Sequence, residues 1–333
     1  MTLNQVLPLA ITMGEPAGIG WEITLKAWEK RAKTDQPFYL LDDFNRLKKV
    51  CNNVPIEIIK TPSDALQVFP NALPIFHMPL SAPTNFGKPS TKTAPDVVLS
   101  IRQAVRHIEN KMAAGVITNP IQKSILYDIG FKYPGHTEFL GAISSIAATP
   151  LMMLSCHDLK VVPITTHLNL VDAISEISTR RIINTCMLTA NSLATDFGVK
   201  NPHIAVAGLN PHAGEGGQLG EEEQKIIEPA VSELKSIGLN VSGPLSPDTL
   251  FSRPIRKTFD VAICMYHDQA LIPIKTLDFE KSVNITLGLP FVRTSPDHGT
   301  ALDIAGQGIA NEKSMVAAIQ VASRIAKYRV LEK

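Results

Sequence analysis

The sequence predicts an α/β protein with a largely parallel sheet. Short apolar segments of the kind that form buried strands alternate along the chain with longer segments of helical periodicity. Such alternation is typical of units in which a helix returns the chain between parallel strands. The length of 333 residues also exceeds what one small core requires, and it favours two compact lobes.

The elements follow in order from the first apolar segment. Val6 to Met13 is predicted to be a strand, the turn Gly14–Gly20 follows it, and Glu22 to Arg31 is predicted to be a helix. The Pro-rich stretch Phe69–Pro95 is predicted to be a surface excursion without regular structure. Further strands are predicted over 38–41, 115–118, 151–155, 161–165, 204–207 and 261–265, with 151–155 paired to 161–165, and further helices over 94–112, 178–197, 221–237 and 314–330.

The composition argues against several classes of function. Charged residues make up 19% of the chain and the net charge is +1, so no basic surface predicts nucleic acid or a membrane as a partner. No apolar run approaches the ~20 residues of a membrane helix. The start, Met1 to Met13, lacks the cationic segment of a signal peptide. Four scattered cysteines without a CxxC pair are typical of reduced thiols, and a cytoplasmic location is predicted.

Three of the nine histidines follow predicted strands: His167, His212 and His267. In open α/β sheets the carboxyl ends of the strands line the ligand crevice. Three imidazoles brought there can bind a divalent metal and leave coordination positions open for substrate oxygens. The alternative for any one of them is an ordinary polar residue, and their long spacing is not a local metal motif.

Two further groups of residues are suited to anions. His136 and Thr137 stand where a glycine precedes a helix start, which can receive a phosphate through its backbone donors or can simply be capped. Lys275 and Arg293 lie in segments rich in Gly, Pro and apolar residues, together with Asn284. Lys and Arg converging on one pocket suit a phosphate or carboxylate; a solvated face is the alternative.

The Gly-rich segments give weaker signals. The turn Gly14–Gly20 has neither the GK[ST] of a Walker loop nor a GxGxxG pattern, so a standard Rossmann dinucleotide site is not indicated. The stretch Ser295–Gly306 is dense in small and turn-forming residues, which suits close wrapping around a flat ligand.

Ordered motifs along nearly the whole chain resemble those of the 4-hydroxythreonine-4-phosphate dehydrogenase family of vitamin B6 synthesis. The matching blocks are GEPAGIG (14–20), GHTEFL (135–140), TTHLNL (165–170), GLNPHAGEGG (208–217), GPLSPDTLF (243–251), MYHDQALIPIK (265–275) and VNITLGLPFVRTSPDHGTALDIAG (283–306).

This resemblance implies a two-lobed fold similar to isocitrate and isopropylmalate dehydrogenases. By analogy, 1–134 with 295–333 forms the first lobe and 135–294 the second, with the active site in the cleft between them. A homodimer is implied, with a divalent metal (Zn, Mg or Co) at the subunit interface. The family's residues fall on His167, His212 and His267 for the metal, on His136, Thr137, Lys275, Asn284 and Arg293 for the substrate, and on His298, Gly299, Thr300, Asp303 and Gly306 in a loop similar to the cofactor loop of isopropylmalate dehydrogenases.

The implied activity is NAD-dependent oxidation of 4-phosphooxy-L-threonine at carbon 3, giving a β-keto acid that decarboxylates to 3-amino-2-oxopropyl phosphate. Asp248, Asp268 and Lys275 are candidate catalytic residues, and either aspartate can instead orient a metal-binding histidine. Asp303 favours NAD over NADP by repelling a 2′-phosphate. Two alternatives remain: a related dehydrogenase acting on 4-phosphoerythronate or 4-phosphothreonate, and a catalytically silent binding protein on the same fold.

Overall fold

The structure is a computed structural model and describes residues 6–51, 54–144 and 149–331. The described residues form two units, each built from two stretches of chain: 6–144 with 289–327, and 149–288 with 328–331. The functional division into lobes 1–134 with 295–333 and 135–294 stays a prediction. Residues 1–5 of the predicted N-terminal segment and the last two residues of the predicted first lobe lie outside the described residues.

The elements are numbered in chain order over the described residues. The strands are β1 (Leu9–Ile11), β2 (Phe38–Asp42), β3 (Ile56–Ile59), β4 (Leu73–His77), β5 (Gly115–Ile117), β6 (Leu151–Ser155), β7 (Lys160–Pro163), β8 (Ile204–Ala207), β9 (Val241–Leu245), β10 (Val261–Cys264), β11 (Val283–Leu287) and β12 (Val292–Pro296). The helices are α1 (Gly20–Glu29), α2 (Phe44–Val50), α3 (Ala65–Val68), α4 (Ala94–Glu109), α5 (Lys123–Asp128), α6 (His136–Ile143), α7 (Leu170–Ser175), α8 (Thr179–Phe197), α9 (Glu228–Ser236), α10 (Pro247–Leu250), α11 (His267–Leu277) and α12 (Lys313–Leu331).

The first unit contains a parallel arrangement of strands in the order β3-β4-β2-β1-β5-β12. Every pairing recorded within it is parallel. All residues of β1, β2 and β5 are buried, as expected for strands that helices cover on both faces. The parallel order brings the carboxyl ends of these strands to one edge.

The core of the first unit fixes the position of α6. On α4, Ile101, Ala104 and Val105 recur at helical spacing and pack into one cluster with residues of β1, β2 and β5. Phe139 of α6 belongs to the same cluster and lies 5.0 Å, between ring centroids, from Phe131. The helix start is therefore anchored by burial of the apolar residues behind it.

The second unit has the strand order β11-β6-β7-β10-β8-β9. Strands β7, β10, β8 and β9 pair in parallel, whereas β6 is antiparallel to both β7 and β11. Val161, Ala205 and Ala262 of three adjacent strands pack with Ala270 and Ile274 of α11. Small side chains on the strands allow this helix to lie close to the sheet.

The predicted α/β class with a largely parallel sheet is confirmed, as is the pairing of 151–155 with the next strand. The prediction for Phe69–Pro95 was wrong in its first part, because β4 lies there between β3 and β2. Its Leu73 and Ile75 are fully buried although prolines surround them. Over the described ranges, no helix combines the length and apolar character needed to cross a bilayer.

We expect the turn after β1 to require a glycine at position 14. Gly14 has φ +69°, and a Cβ there would lie 2.6 Å from Cβ of Asn119 and 2.8 Å from the Pro120 carbonyl oxygen. Gly14→Ala should therefore lower the thermal unfolding midpoint through both backbone strain, about 1–2 kcal/mol, and the clash. Gly130→Ala is the matched control, since Gly130 has φ +84° with nothing within 4 Å. Equal losses from the two variants would contradict the steric argument.

Candidate active site

Arg293 is a buried cation whose side chain bonds to Thr118, the residue just after the carboxyl end of β5. It lies on β12 opposite Val116 of β5 and is only 3% exposed. Its Nη2 and Nε donate to the Thr118 hydroxyl at 2.8 and 3.3 Å. Burial lowers the pKa of Arg293 to about 10, and the Glu138 carboxylate opposes that shift. The guanidinium therefore stays charged at neutral pH.

His136 is the first residue of α6 and lies close to this cation. Its Nε2 is buried and has no hydrogen-bond partner in the described part of the chain. Burial, with the charges of Arg293 and Lys123, holds the pKa of His136 well below its usual value of 6.5. The imidazole is therefore neutral at pH 7, and the partly buried Thr137 follows it in the first turn.

The first unit thus brings together His136 and Arg293, two residues that the sequence analysis assigned to the substrate, and this assignment stays a prediction. Three residues that the sequence analysis did not name lie beside them: Thr118, Lys123 and Glu138. Thr118 carried a usable signal, because it ends the predicted strand 115–118, just as the three histidines follow theirs. Lys123 and Glu138 carried none, since only the fold brings them near Arg293 and His136.

The predicted cofactor residues lie in the irregular segment between β12 and α12. The Gly-rich turn Gly14–Gly20 packs against this segment at Thr300. The backbone N–H of Ile19 donates to the Thr300 carbonyl at 3.1 Å. A Cβ on Gly18 would lie 2.8 Å from the same oxygen, so this approach requires glycine. Thr300 also donates its hydroxyl to Gln122 at 3.0 Å.

The rest of this segment presents exposed groups. Asp303 is exposed and its carbonyl accepts from the Gln307 amide at 2.7 Å, whereas Gly306 has φ +77° and lies against the ring of Phe86. His298 contacts the carbonyl of the neighbouring Gly299 through Nδ1 at 3.0 Å. The exposed carboxylate of Asp303 is sterically available to a ligand in solution.

In the second unit, the three predicted metal-binding histidines follow neighbouring parallel strands. His167 comes after β7, His212 after β8, and His267 three residues after the end of β10, as the first residue of α11. Because β10 pairs with both β7 and β8, these strands end at one edge. The rings of His167 and His267 have centroids 6.1 Å apart.

A carboxylate contacts one of these histidines, and a second carboxylate lies within electrostatic range of another. Nδ1 of His267 is 2.7 Å from the Asp268 carboxylate. The Ser246 hydroxyl donates to Asp248 at 2.5 Å, and this bond, with a smaller effect from the charge of His212, holds the pKa of Asp248 below its usual value. Asp248 therefore lies in the electrostatic environment of His212.

Two of the three histidines have a strained backbone. His167 has φ +37° and His212 has φ +52°, in the left-handed region that non-glycine residues seldom occupy. Such conformations persist only where the surrounding structure imposes them, and they cluster at functional sites.

No group of three or more His, Cys, Asp or Glu side chains in the described ranges is arranged to hold a metal ion.

The remaining predicted substrate residues also belong to the second unit. Lys275 lies in the last turn of α11, with Nζ 5.3 Å from the Phe279 ring centroid. Asn284 lies on β11 opposite Leu154. Both are partly buried.

Comparison with known proteins identifies the family. Residues 33–322 match the profile of PdxA, described as pyridoxal phosphate biosynthetic protein PdxA. The chain belongs to this family. The 4-hydroxythreonine-4-phosphate dehydrogenase of Caulobacter vibrioides is 47% identical over 97% of this chain and 98% of its own. That of Bradyrhizobium diazoefficiens is 46% identical over 98% and 99%.

Solved members of the family have the same fold. A crystal structure of 4-hydroxythreonine-4-phosphate dehydrogenase from Klebsiella pneumoniae superposes with a TM-score of 0.86 at 37% identity. The alignment covers 96% of this chain and 99% of that one. This chain therefore shares the overall fold of that enzyme.

We expect the hydrogen bonds from Arg293 to the Thr118 hydroxyl to stabilise the folded protein. Thr118→Val keeps the shape of the side chain but removes the acceptor from two guanidinium donors in a buried site. The free energy of unfolding should fall by about 1–3 kcal/mol. Thr118→Ser, which keeps the hydroxyl, should lose less in the same urea titration. If the valine and serine variants were equally stable, the hydrogen bonds to Arg293 would contribute nothing measurable.

Proposed function

We propose that this chain catalyses the NAD-dependent oxidation of 4-phosphooxy-L-threonine at carbon 3. The β-keto acid formed decarboxylates to 3-amino-2-oxopropyl phosphate, a step in pyridoxal 5′-phosphate synthesis. The observation that carries the proposal is the match, over nearly all of the chain, to relatives named 4-hydroxythreonine-4-phosphate dehydrogenase. The buried cation Arg293 beside the neutral His136 suits a small anionic substrate.

We assign the substrate's anionic groups to His136, Thr137, Lys275, Asn284 and Arg293. Arg293 is held by Thr118 before any ligand arrives, so little side-chain entropy is lost when it binds an anion. Binding energy from the non-reacting phosphate then helps to orient carbon 3 for hydride transfer.

His167, His212 and His267 are the residues that would hold a divalent ion of Zn, Co or Mg. Their donor set fits, because imidazole is a common ligand of Zn and Co, and Asp268 beside Nδ1 of His267 leaves Nε2 of that ring for the ion. Exposed histidine side chains change rotamer at small cost, which allows the rings to converge. A bound ion supplies Lewis-acid stabilisation of negative charge on a substrate oxygen.

Three residues are candidates for accepting the proton of the substrate hydroxyl: Asp248, Asp268 and Lys275. The contact of Asp268 with His267 favours a positioning role for this carboxylate. Asp248 and Lys275 then remain as candidates for accepting the proton of the substrate hydroxyl. The low pKa of Asp248 makes it a weak acceptor unless the substrate displaces the Ser246 hydroxyl that holds it.

We propose that NAD binds in the segment after β12, through His298, Gly299, Thr300, Asp303 and Gly306. The exposed Asp303 carboxylate is suited to accept hydrogen bonds from ribose hydroxyls. The same charge would repel the 2′-phosphate of NADP.

We further propose a homodimer with the metal site at the subunit interface. Apolar residues immediately after His167 are exposed: Leu168 is 45%, Leu170 57% and Val171 73% exposed. An exposed apolar group of this kind marks an interaction surface. None of the four cysteines forms a disulfide, which supports a reducing, cytoplasmic location.

The activity is tested by NADH formation with 4-phosphooxy-L-threonine, 4-phosphoerythronate and 4-phosphothreonate. We expect turnover with the first substrate, loss of turnover with a chelator, and recovery with added Zn²⁺, Co²⁺ or Mg²⁺. His212→Ala should abolish turnover and bound metal while leaving the unfolding midpoint within a few degrees. His157→Ala, at an exposed histidine outside the site, is the control. Full activity of His212→Ala in metal-stripped buffer would overturn the metal assignment.

Cofactor preference tests Asp303. We expect a higher kcat/KM with NAD than with NADP, because of the charge of this residue. Asp303→Asn removes the repulsion and keeps a polar group, so the NAD-to-NADP ratio of kcat/KM should fall by roughly 10-fold, equivalent to ~1.4 kcal/mol. A wild-type ratio near one, or an unchanged ratio in the variant, would locate the determinant elsewhere.

A further inference from the structure

Lys123 lies at the start of α6 although it belongs to α5. A Cβ placed on Gly135, the residue before His136, would be 3.7 Å from Nζ of Lys123 and 3.5 Å from Oε2 of Glu138. Lys123 is partly buried. Its ammonium therefore reaches the backbone that precedes His136. Lys123, Glu138 and Arg293 together form a cluster of charged groups around this histidine.

The side chain of Lys123 makes no ion pair or hydrogen bond with any residue that the structure describes. Arg293 is the second cation of this cluster, and Glu138 is the carboxylate that acts on it. Two cations and a neutral imidazole near one carboxylate leave an excess of positive charge. Partly buried positive charge of this kind is stabilised when an anion binds.

His136 supplies an independent observation. Its Nε2 is buried and has no partner among the described residues. Buried polar atoms without a hydrogen bond are rare in folded proteins, and each calls for an explanation such as a ligand. A neutral imidazole protonated at Nε2 would donate a hydrogen bond to an anion held between the two cations.

We propose that Lys123 binds the phosphate group of the substrate together with His136 and Arg293. This assignment rests on the proposed function. A phosphate carries close to two negative charges at neutral pH, which match the two cations, whereas a carboxylate carries one. Lysine binds phosphate as a flexible point charge, and arginine adds directed donors. The backbone donors at the start of α6 favour an anion at the same place.

The first experiment compares Lys123→Met with Lys132→Met, a nearby exposed lysine on the chain before α6. With 4-phosphooxy-L-threonine, Lys123→Met should lower kcat/KM by roughly 10- to 100-fold, as expected for loss of one charge-assisted contact. Lys132→Met should change it by less than about 3-fold. Lys123→Arg should recover most of the loss, because the charge remains.

The second substrate separates phosphate binding from proton transfer. With unphosphorylated 4-hydroxythreonine, Lys123→Met and the wild type should have kcat/KM values within about 3-fold of each other. An equal loss with both substrates, appearing in kcat, would overturn the proposal and point to a role at the reacting carbon.

A direct binding measurement distinguishes failure of this assignment from failure of the proposed function. Inorganic phosphate is titrated into wild type and both methionine variants, with binding followed by phosphorus NMR. We expect Lys123→Met to weaken phosphate binding by at least about 10-fold and Lys132→Met to leave it unchanged. If no phosphorylated substrate were oxidised but this difference remained, the function would fail and the anion site would stand. Equal phosphate affinity in the three proteins would overturn the role of Lys123.

Discussion

Parallel pairing is the constraint on which the candidate site depends. A parallel strand must be followed by a connection that returns the chain, so residues just beyond the carboxyl ends of adjacent strands collect at one edge. In the first unit, Thr118 lies just beyond the end of β5, and the parallel pairing of β5 with β12 brings its hydroxyl within hydrogen-bonding distance of the Arg293 side chain, which comes from within β12. In the second unit it places His167 and His267 near each other, although 100 residues of sequence separate them.

The placement of the three histidines after parallel strands could be predicted from sequence, because each follows an apolar strand that is easy to recognise; their role at a metal stays a prediction. Strand β12 could not be predicted in this way, because its sequence VRTSP is mostly polar and contains proline. All five of its residues are nevertheless buried. The burial is possible because its polar groups find partners inside the fold: Arg293 bonds to Thr118, and Thr294 donates to the Ala318 carbonyl at 2.9 Å. Periodicity detects apolar burial, and it misses burial that depends on such partners.

In the first unit, burial lowers the pKa of both Arg293 and His136, but it changes the charge of only one of them at neutral pH. Arg293 keeps its charge because its ordinary pKa lies far above neutrality, so even a large downward shift leaves it protonated. His136 starts near neutrality, and the same burial, together with the neighbouring cations, leaves it uncharged. One environment therefore yields a permanent cation and a neutral hydrogen-bonding group side by side, a pairing that residue types alone did not predict.

The left-handed backbone at His167 and His212 restricts what can replace them during evolution. Histidine, asparagine, aspartate and glycine tolerate this conformation better than other residues, and β-branched residues tolerate it least. Substitution by valine or isoleucine at either position is therefore disfavoured, because a β-branched residue distorts the loop even where no ligand is bound. The accessible exchanges are to other small polar residues, several of which can themselves coordinate metals. Divergence at these positions would consequently change the donor atoms offered by the proposed metal site before it disturbed the loop that carries them.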